Sequence, residues 1–207
     1  MFSLCLVTDR KQLRKNYFLP GIVKAAVAGG ANAVMLREKD IENTSELLYL
    51  AKKIKKAAGQ AVFIVNGRCD IALAAGAGGV HLTSASIPVK AARKIIGRKL
   101  LLGKSCHSIK DALKAEKEGV DYVFIGPVYF TASKEKYGKP LGTEMVGKLK
   151  KKLKIPVIAI GGIKAENAGE VLAAGADGLA IISGILKAKK PGMSTSLYRQ
   201  ALGKFGK

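Results

Sequence analysis

The chain has 207 residues, 48% hydrophobic and 25% charged, and this composition predicts one globular domain with a substantial core rather than a disordered chain. Lysine and arginine exceed aspartate and glutamate by 36 to 15, a net charge of +21 that favours anionic ligands. No apolar run approaches the roughly 20 residues that span a bilayer, and the N-terminus becomes charged too early for a signal peptide, so we expect a cytoplasmic protein.

Apolar, strand-like runs alternate with amphipathic, helix-like segments along the whole chain. The runs are residues 3–8, 33–38, 61–66, 79–83, 100–105, 122–128, 156–162 and 178–184. Residues 45–59 carry apolar side chains at about i, i+3, i+4 and i+7, which is the spacing of an amphipathic helix. The strand-like runs are apolar on both faces, as parallel strands covered by helices are.

Four stretches with one shared pattern precede the second, fourth, sixth and eighth runs. In each, a helix ends at glycine, a small or acidic residue follows and a strand begins; the stretches are AGGANAVML, AAGAGGVHL, KEGVDYVFI and AAGADGLAII. Four repeats of a unit with two strands and two helices close a barrel, so we predict an α/β fold, a (β/α)8 TIM barrel that fills residues 1–207 as a single domain. An open doubly wound sheet is the alternative, but no GxGxxG motif follows the first strand.

The cysteines and the distribution of charge exclude several kinds of site. Cys5, Cys69 and Cys106 are odd in number and lack CxxC spacing, so we expect reduced thiols, two of them in the core, and neither a disulfide nor a zinc site. The lysines are spread over nearly every predicted helix, with no arginine-rich arm or groove interleaved with aromatics. We therefore expect small phosphorylated molecules as partners, with no membrane contact, and regard nucleic acid as the less favoured alternative.

Residues at the carboxyl ends of the strands are the candidate binding residues, because in this fold the loops there surround one opening, the mouth. They include many cations and hydroxyls and few carboxylates, of which Glu38 and Asp70 are the nearest. The candidates are Arg37, Lys39, Asn66, Arg68, Thr83 to Ser86, Ser105 to Ser108, Thr131, Ser133, Lys134, Gly161, Gly162, Ser183 and Gly184. The polar loop 129–142 is long, and we predict that it is a mobile cover.

His107 is the candidate catalytic residue, because it follows the fifth strand and an imidazole exchanges protons near neutral pH. The alternative is a structural role at the start of the next helix, where Ser108 is a suitable N-cap. His81 lies within the fourth strand and is expected to pack in the core. Cys106 is a poor nucleophile for His107 to activate, because adjacent strand residues point to opposite faces.

The loops after the last two strands carry the clearest signal for an anion site. Gly161 and Gly162 let backbone N–H groups approach a phosphate, and a helix predicted from about Ala165 would direct its positive end there. Ser183 and Gly184 offer further N–H groups, and phosphate sites after strands seven and eight recur in this fold. The alternative is that these glycines only permit tight turns.

Four segments of the chain are similar to one known protein family: IVNGRCDIALAAGAGGVHL, LLGKSCHSIKDALKAEKEGVDYVFIGPVY, IPVIAIGGI and AGADGLAIISGI. Through them the chain resembles the thiamin phosphate synthase and TenI superfamily of (β/α)8 barrels, and the resemblance extends from VTDR to ISGI. The synthase joins a pyrimidine diphosphate to a thiazole phosphate with magnesium held by carboxylates, whereas TenI proteins aromatise thiazole carboxylate phosphate. Members often pair, so the resemblance also allows a homodimer.

The magnesium ligands distinguish the two branches. Synthases typically show Asn-Asp after the third strand and Gly-Gln-x-Asp after the fourth, but this chain has Asn66-Gly67 and TSAS at 83–86. The NGR-x-DIAL and Ser-x-His-Ser segments are similar to the TenI branch. The resemblance therefore implies a thiazole tautomerase without metal or other cofactor, in which His107 is the acid and base, Arg37 or Lys134 offsets the substrate carboxylate and Ser105 orients the ring.

Other features favour the synthase, which is the alternative function. Thr131, Ser133 and Lys134, together with Pro127, match the phosphate-contacting loop of the synthase better than that of the tautomerase. A synthase would require magnesium. A TenI-like regulator that binds nucleic acid is a second alternative, since TenI proteins were first described as regulators and this chain is strongly basic.

Overall fold

The computed structural model describes residues 1–15, 17–131 and 139–207. Eight parallel strands form a closed barrel in chain order, with β8 paired to β1. They are β1 (Leu4–Val7), β2 (Ala33–Leu36), β3 (Val62–Asn66), β4 (Gly79–Leu82), β5 (Leu101–Cys106), β6 (Tyr122–Ile125), β7 (Val157–Ile160) and β8 (Gly178–Ile181). The predicted (β/α)8 barrel is confirmed. Most strands are shorter than predicted, because their last predicted residues belong to the loops of the mouth.

Helices cover the outside of the barrel. In the described ranges they are α1 (Leu19–Ala28), α2 (Thr44–Ala58), α3 (Cys69–Ala74), α4 (Val89–Ile96), α5 (Ile109–Glu118), α6 (Gly142–Lys150), α7 (Ala168–Ala173), α8 (Ser183–Leu186) and α9 (Pro191–Lys204). α2 lies within one residue of the predicted helix, and the side chain of Asn43 caps it by accepting the Glu46 N–H. The helix predicted from about Ala165 begins at Ala168 instead, because Asn167 accepts the Lys164 N–H and forms a turn first.

Alternate strand residues form two apolar layers. One set fills the barrel interior and includes Cys5, Val7, Ala33, Met35, Ile64, Tyr122, Phe124, Ile158 and Ala180. The other set packs between the strands and the helices. All three cysteines are buried and unpaired, one more than the two expected in the core. Within the described ranges, no helix is both long and apolar enough to cross a membrane.

The second residue after the glycine of the repeated pattern connects neighbouring strands at the amino end of the barrel. Asn32, before β2, accepts the N–H groups of Ser3 and Leu4 at the start of β1, at 3.0 and 2.9 Å. Asp121, before β6, likewise accepts the Leu102 N–H of β5 at 2.7 Å. These bonds satisfy backbone donors where β1 and β5 begin.

Asp177 repeats the arrangement before β8 and forms an ion pair, as Asp121 does with Arg93. It accepts the Val157 N–H of β7 at 2.9 Å, and both its oxygens lie 2.8 Å from Lys150 Nζ. In the remaining unit the equivalent residue is Gly78, which has no side chain to accept. The preceding glycines all have positive φ, between 62° and 105°, as the pattern predicts; they are Gly30, Gly76, Gly119 and Gly175.

We expect Asp177→Ala to lower the free energy of unfolding by about 2 kcal/mol in urea titrations, because hydrogen bonds to charged groups contribute about 1.5–3 kcal/mol. The Val157 N–H and Lys150 would both lose their partner. Glu144→Ala is the matched control, since it removes the same charge from an exposed ion pair with Lys148. This variant should barely change the urea concentration at the midpoint of unfolding. Equal shifts in the two variants would show that the amino-end bonds do not stabilise the barrel.

Candidate active site

The candidate residues that the structure describes surround the carboxyl end of the barrel. Arg37 and Lys39 follow β2, Asn66 ends β3, and Ser105 lies one residue before the end of β5. Thr131 lies in the loop after β6, and residues 132–138 of that loop are not described. Ser133, Lys134 and half of the predicted cover at 129–142 lie outside the described residues.

His107 contacts the loop after β6 and does not cap α5. Its Nδ1 lies 2.6 Å from the Gly126 carbonyl oxygen. Because a carbonyl only accepts, Nδ1 carries the hydrogen, and Nε2 of the neutral ring keeps its lone pair. Ser108 caps α5 by accepting the Asp111 N–H at 3.1 Å, so the structural alternative for His107 does not apply.

Cys106 lies on the other face of β5, as the alternation of the strand requires. Its side chain is fully buried in the layer between the strands and the helices. Burial raises the pKa of the thiol to about 12, so it is protonated and separated from the mouth. The expectation that Cys106 is not a nucleophile activated by His107 agrees with this placement.

His81 belongs to a buried polar cluster that the sequence did not reveal. Its Nε2 lies 2.9 Å from Ser105 Oγ, and its Nδ1 lies 3.2 Å from Tyr122 Oη. The imidazole is fully buried and packs on Phe124, with 4.3 Å between ring centroids. Burial lowers the pKa of His81 to about 3, so the ring is neutral at physiological pH. His81 is packed, as expected, but it also contacts a residue of the mouth.

Cationic side chains gather near the ends of β2 and β3. Arg37 Nη1 lies 3.6 Å from an Asp9 oxygen, and the side chain is largely buried. Lys39, Asn66 and Arg68 line a cavity of about 210 Å³. This side of the mouth is therefore suited to an anionic group.

Of the carboxylates nearest to this cavity, Asp70 has partners, whereas Glu38 Oε1 is buried without a hydrogen-bond partner among the described residues. Asp70 accepts two hydrogen bonds from Arg68, at 2.9 and 2.6 Å. Glu38 is buried, and one of its oxygens accepts the Arg10 N–H at 2.7 Å. Burial raises the pKa of this carboxyl. Neither acid is arranged as an exposed metal ligand.

The two positions that hold magnesium in synthases are neighbours in this structure. A Cβ atom added to Gly67 would lie 3.5 Å from Ser86 Oγ, and that hydroxyl already accepts the Thr83 N–H at 2.9 Å. These positions supply one hydroxyl and no carboxylate. In the part of the chain that the structure describes, no three histidine, cysteine or acidic side chains cluster to hold a metal ion. The residues therefore do not fit the synthase's magnesium site.

The glycines of the last two loops have packing roles. Gly161 and Gly162 have φ of 97° and 68°, and a Cβ on Gly161 would lie 2.6 Å from Pro127 Cα. A Cβ on Gly184 would lie 2.2 Å from Tyr198 Oη, which donates to the Ile163 carbonyl at 3.3 Å. Tyr198 of α9 thus packs against both loops. That their N–H groups bind phosphate stays a prediction.

Three comparisons with known proteins agree with one another. The chain matches the family model described as thiamine monophosphate synthase over residues 4–185. It is 41% identical over 188 residues to the thiamine-phosphate synthase of Clostridium novyi, covering 90% of this chain and 91% of that protein. For the thiamine-phosphate synthase of Chlorobium luteolum the identity is 43% over 190 residues, covering 91% and 87%. The thiamine phosphate pyrophosphorylase from Pyrococcus furiosus superposes with a TM-score of 0.89 at 34% identity, covering 99% of this chain and 96% of that one.

These comparisons show that the prediction of a thiazole tautomerase is wrong. Proteins more than 40% identical over about nine-tenths of the chain are named synthases, and these names give no support to a TenI-like tautomerase or regulator. The prediction gave too much weight to two missing carboxylates and one histidine. Cations and phosphate-binding loops suit any phosphorylated substrate, so Arg37 and Gly161 do not distinguish the two activities.

The buried histidine predicts how stability depends on pH. Its pKa is about 6.5 in the unfolded chain and about 3 in the fold, so between these values only the unfolded chain binds the proton. The free energy of unfolding should therefore fall as the pH is lowered through this window, by about 1.4 kcal/mol per pH unit from this residue. Urea titrations at pH 7 and pH 5 should show about 2 kcal/mol more loss for the wild type than for His81→Gln. Equal losses would mean that His81 is protonated in the fold.

Proposed function

This chain belongs to the thiamine monophosphate synthase family, and we propose that it is a thiamine-phosphate synthase that joins a pyrimidine diphosphate to a thiazole phosphate. The observation that carries the proposal is the identity of 41–43% to named synthases over 90–91% of the chain. The cationic, hydroxyl-rich mouth supports it, because both substrates are anions.

The transfer makes limited chemical demands on the protein. One bond forms between the thiazole and the pyrimidine, and the bond from the pyrimidine to its diphosphate breaks, so that pyrophosphate leaves. Positioning two anions together and stabilising the leaving charge are therefore the main tasks of the residues. No proton shuttle is required. His107 has in this proposal the role of a contact residue, whose Nε2 lone pair can accept a hydrogen bond from a substrate.

The loops after β7 and β8 are proposed to hold the thiazole phosphate. Gly161 and Gly162 in the loop after β7, and Ser183 and Gly184 at the start of α8, supply backbone N–H groups. Tyr198 supports this assignment, because its contacts with both loops fix their separation. Phosphate sites at this place are frequent in (β/α)8 barrels.

The opposite side of the mouth is proposed to bind the diphosphate. Arg37 and Lys39 supply positive charge, and Asn66 lines the same cavity as Lys39. Arg37 is held in place by Asp9 and by its own N–H, which donates to Thr8 Oγ1 at 3.0 Å. Thr131 follows β6, next to β7, and is proposed to contact substrate from that side; Ser133 and Lys134 lie outside the described residues.

Magnesium does not enter this proposal as a step. In the synthases that the chain resembles, magnesium offsets the diphosphate charge, but Gly67 and Ser86 do not fit that ligand set. We assign the neutralisation of the leaving group to the side-chain cations. A homodimer stays a prediction.

The wild-type protein should release pyrophosphate when the pyrimidine diphosphate and the thiazole phosphate are supplied together, and not when either is supplied alone. Release is followed with a coupled pyrophosphate assay over a range of magnesium concentrations that includes excess chelator. No release at any magnesium concentration would remove the synthase proposal. Release that disappears in chelator would show that metal is required despite the missing carboxylates.

Arg37→Ala should lower kcat/KM roughly 10- to 100-fold, because a lost charge-assisted hydrogen bond costs about 1.5–3 kcal/mol. Arg98→Ala is the matched control, since Arg98 is exposed between α4 and β5 at the amino end of the barrel. The control should retain wild-type activity. Equal losses in both variants would show that general surface charge, rather than Arg37, attracts the substrates.

A further inference from the structure

A line of buried polar groups runs through the barrel interior from Tyr122 to Ser105. We propose that Tyr122 and His81 are positioning residues that fix the hydrogen bonding of Ser105, so that its O–H donates to a bound substrate. The expected effect on catalysis rests on the proposed synthase function. For that active site, the inference assigns Ser105 as a hydrogen-bond donor with a defined orientation. Neither Tyr122 nor His81 is proposed to contact substrate.

The backbone of β5 makes room for this arrangement. The Tyr122 ring lies directly on Gly103, where an added Cβ would be 2.1 Å from Tyr122 Cζ. Gly103 is also the register partner of His81, so Ser105 lies two residues further along β5, toward the mouth. Phe2 closes the other side of the Tyr122 ring in an edge-to-face contact with centroids 5.0 Å apart. The tyrosine therefore has little freedom to turn its hydroxyl elsewhere.

The direction of the first hydrogen bond follows from the donors and acceptors present. Tyr122 is fully buried, and its only hydrogen-bond partner among the described residues is Nδ1 of His81. If Nδ1 carried a hydrogen, the hydroxyl hydrogen of Tyr122 would have no acceptor in this apolar interior, which is unfavourable. Tyr122 therefore donates its hydrogen to Nδ1.

The direction of the second hydrogen bond, between His81 and Ser105, follows from the first. Burial lowers the pKa of His81, so the ring is neutral and has one hydrogen, which must be on Nε2. Nε2 donates to Ser105 Oγ across 2.9 Å. The serine oxygen accepts this bond, and its own hydrogen is free for a substrate. Ser105 is only partly buried, so the line ends at a group within reach of the mouth.

This direction is opposite to that of a serine activated by a histidine base. In that arrangement serine donates to the imidazole, and the other ring nitrogen carries a hydrogen toward an acceptor such as a carboxylate. Here a phenol occupies the far position, and it donates. The arrangement therefore favours a serine that binds a substrate acceptor over one that attacks the substrate, in agreement with a transfer that needs no enzyme nucleophile.

The protonation of His81 can be observed directly, because the chain contains two histidines. Labelling the histidine rings with 15N gives one pair of nitrogen signals, Nδ1 and Nε2, for each of the two imidazoles, and a His107→Gln variant identifies the pair that belongs to His81. We expect a one-bond nitrogen–hydrogen coupling on Nε2 and none on Nδ1, unchanged between pH 5 and pH 8. A hydrogen on Nδ1, or a ring that titrates in this range, would overturn the proposal.

A double-mutant cycle tests whether Tyr122 acts through Ser105. Ser105→Ala should lower kcat about tenfold, and Tyr122→Phe about threefold with KM little changed. The double variant should be no slower than Ser105→Ala, because without the hydroxyl there is nothing left to orient. Losses that multiply would show that Tyr122 only supports the fold and would overturn its positioning role. Tyr49→Phe, on the exposed face of α2, is the control and should leave kcat and KM unchanged.

The two measurements separate this inference from the proposed function. Absence of pyrophosphate release from the wild type contradicts the synthase proposal, while the imidazole spectrum still decides the direction of the hydrogen bonds. Normal release together with a hydrogen on Nδ1 contradicts only the positioning role. Urea midpoints of each variant identify any loss of activity that comes from unfolding.

Discussion

Closure of the barrel is the constraint on which the functional contacts depend. Pairing of β1 with β8, with Cys5 opposite Ala180, fixes which alternate residues of each short strand point inward. The same alternation directs Ser105 to the interior and Cys106 to the helices. A slip of one residue in β5 would exchange these faces, place a thiol at the mouth and remove the contact with His81.

The two ends of the barrel use their polar residues differently. At the amino end, Asp121 and Asp177 accept backbone N–H groups and pair with basic side chains. Near the mouth, Asp70 is bound to Arg68 and Glu38 is buried. With only 15 acids against 36 bases in the sequence, these structural roles leave cations and hydroxyls around the opening. A cation-rich end of the barrel therefore results partly from where the few acids are used.

Much of the fold follows from local pattern, whereas the contacts between strands do not. The glycine-to-strand repeat predicts the eight units, and strand alternation predicts that Cys106 faces away from the mouth. The pairing of His81 with Ser105 and Tyr122 depends on the register of three strands, which a single sequence does not encode locally. The predicted start of α7 failed because a side-chain bond from Asn167 forms a turn before the helix. The prediction of a tautomerase was wrong because the absence of metal-binding carboxylates indicates a lost interaction with magnesium and does not identify a new reaction.

The missing carboxylates at Gly67 and Ser86 change how a diphosphate would be bound. A magnesium ion concentrates two charges in one place and moves with the phosphate oxygens, whereas Arg37 and Lys39 each carry one charge on a side chain fixed at β2. Fixed donors stabilise a leaving group only if they are already oriented toward the position it will occupy. The ion pair that holds Arg37 and the hydrogen bonds that orient Ser105 both provide such orientation before substrate binds. In the proposed synthase, a mouth built from oriented donors therefore depends more on its buried supporting residues than a metal site would, and Tyr122 is assigned a part in that support.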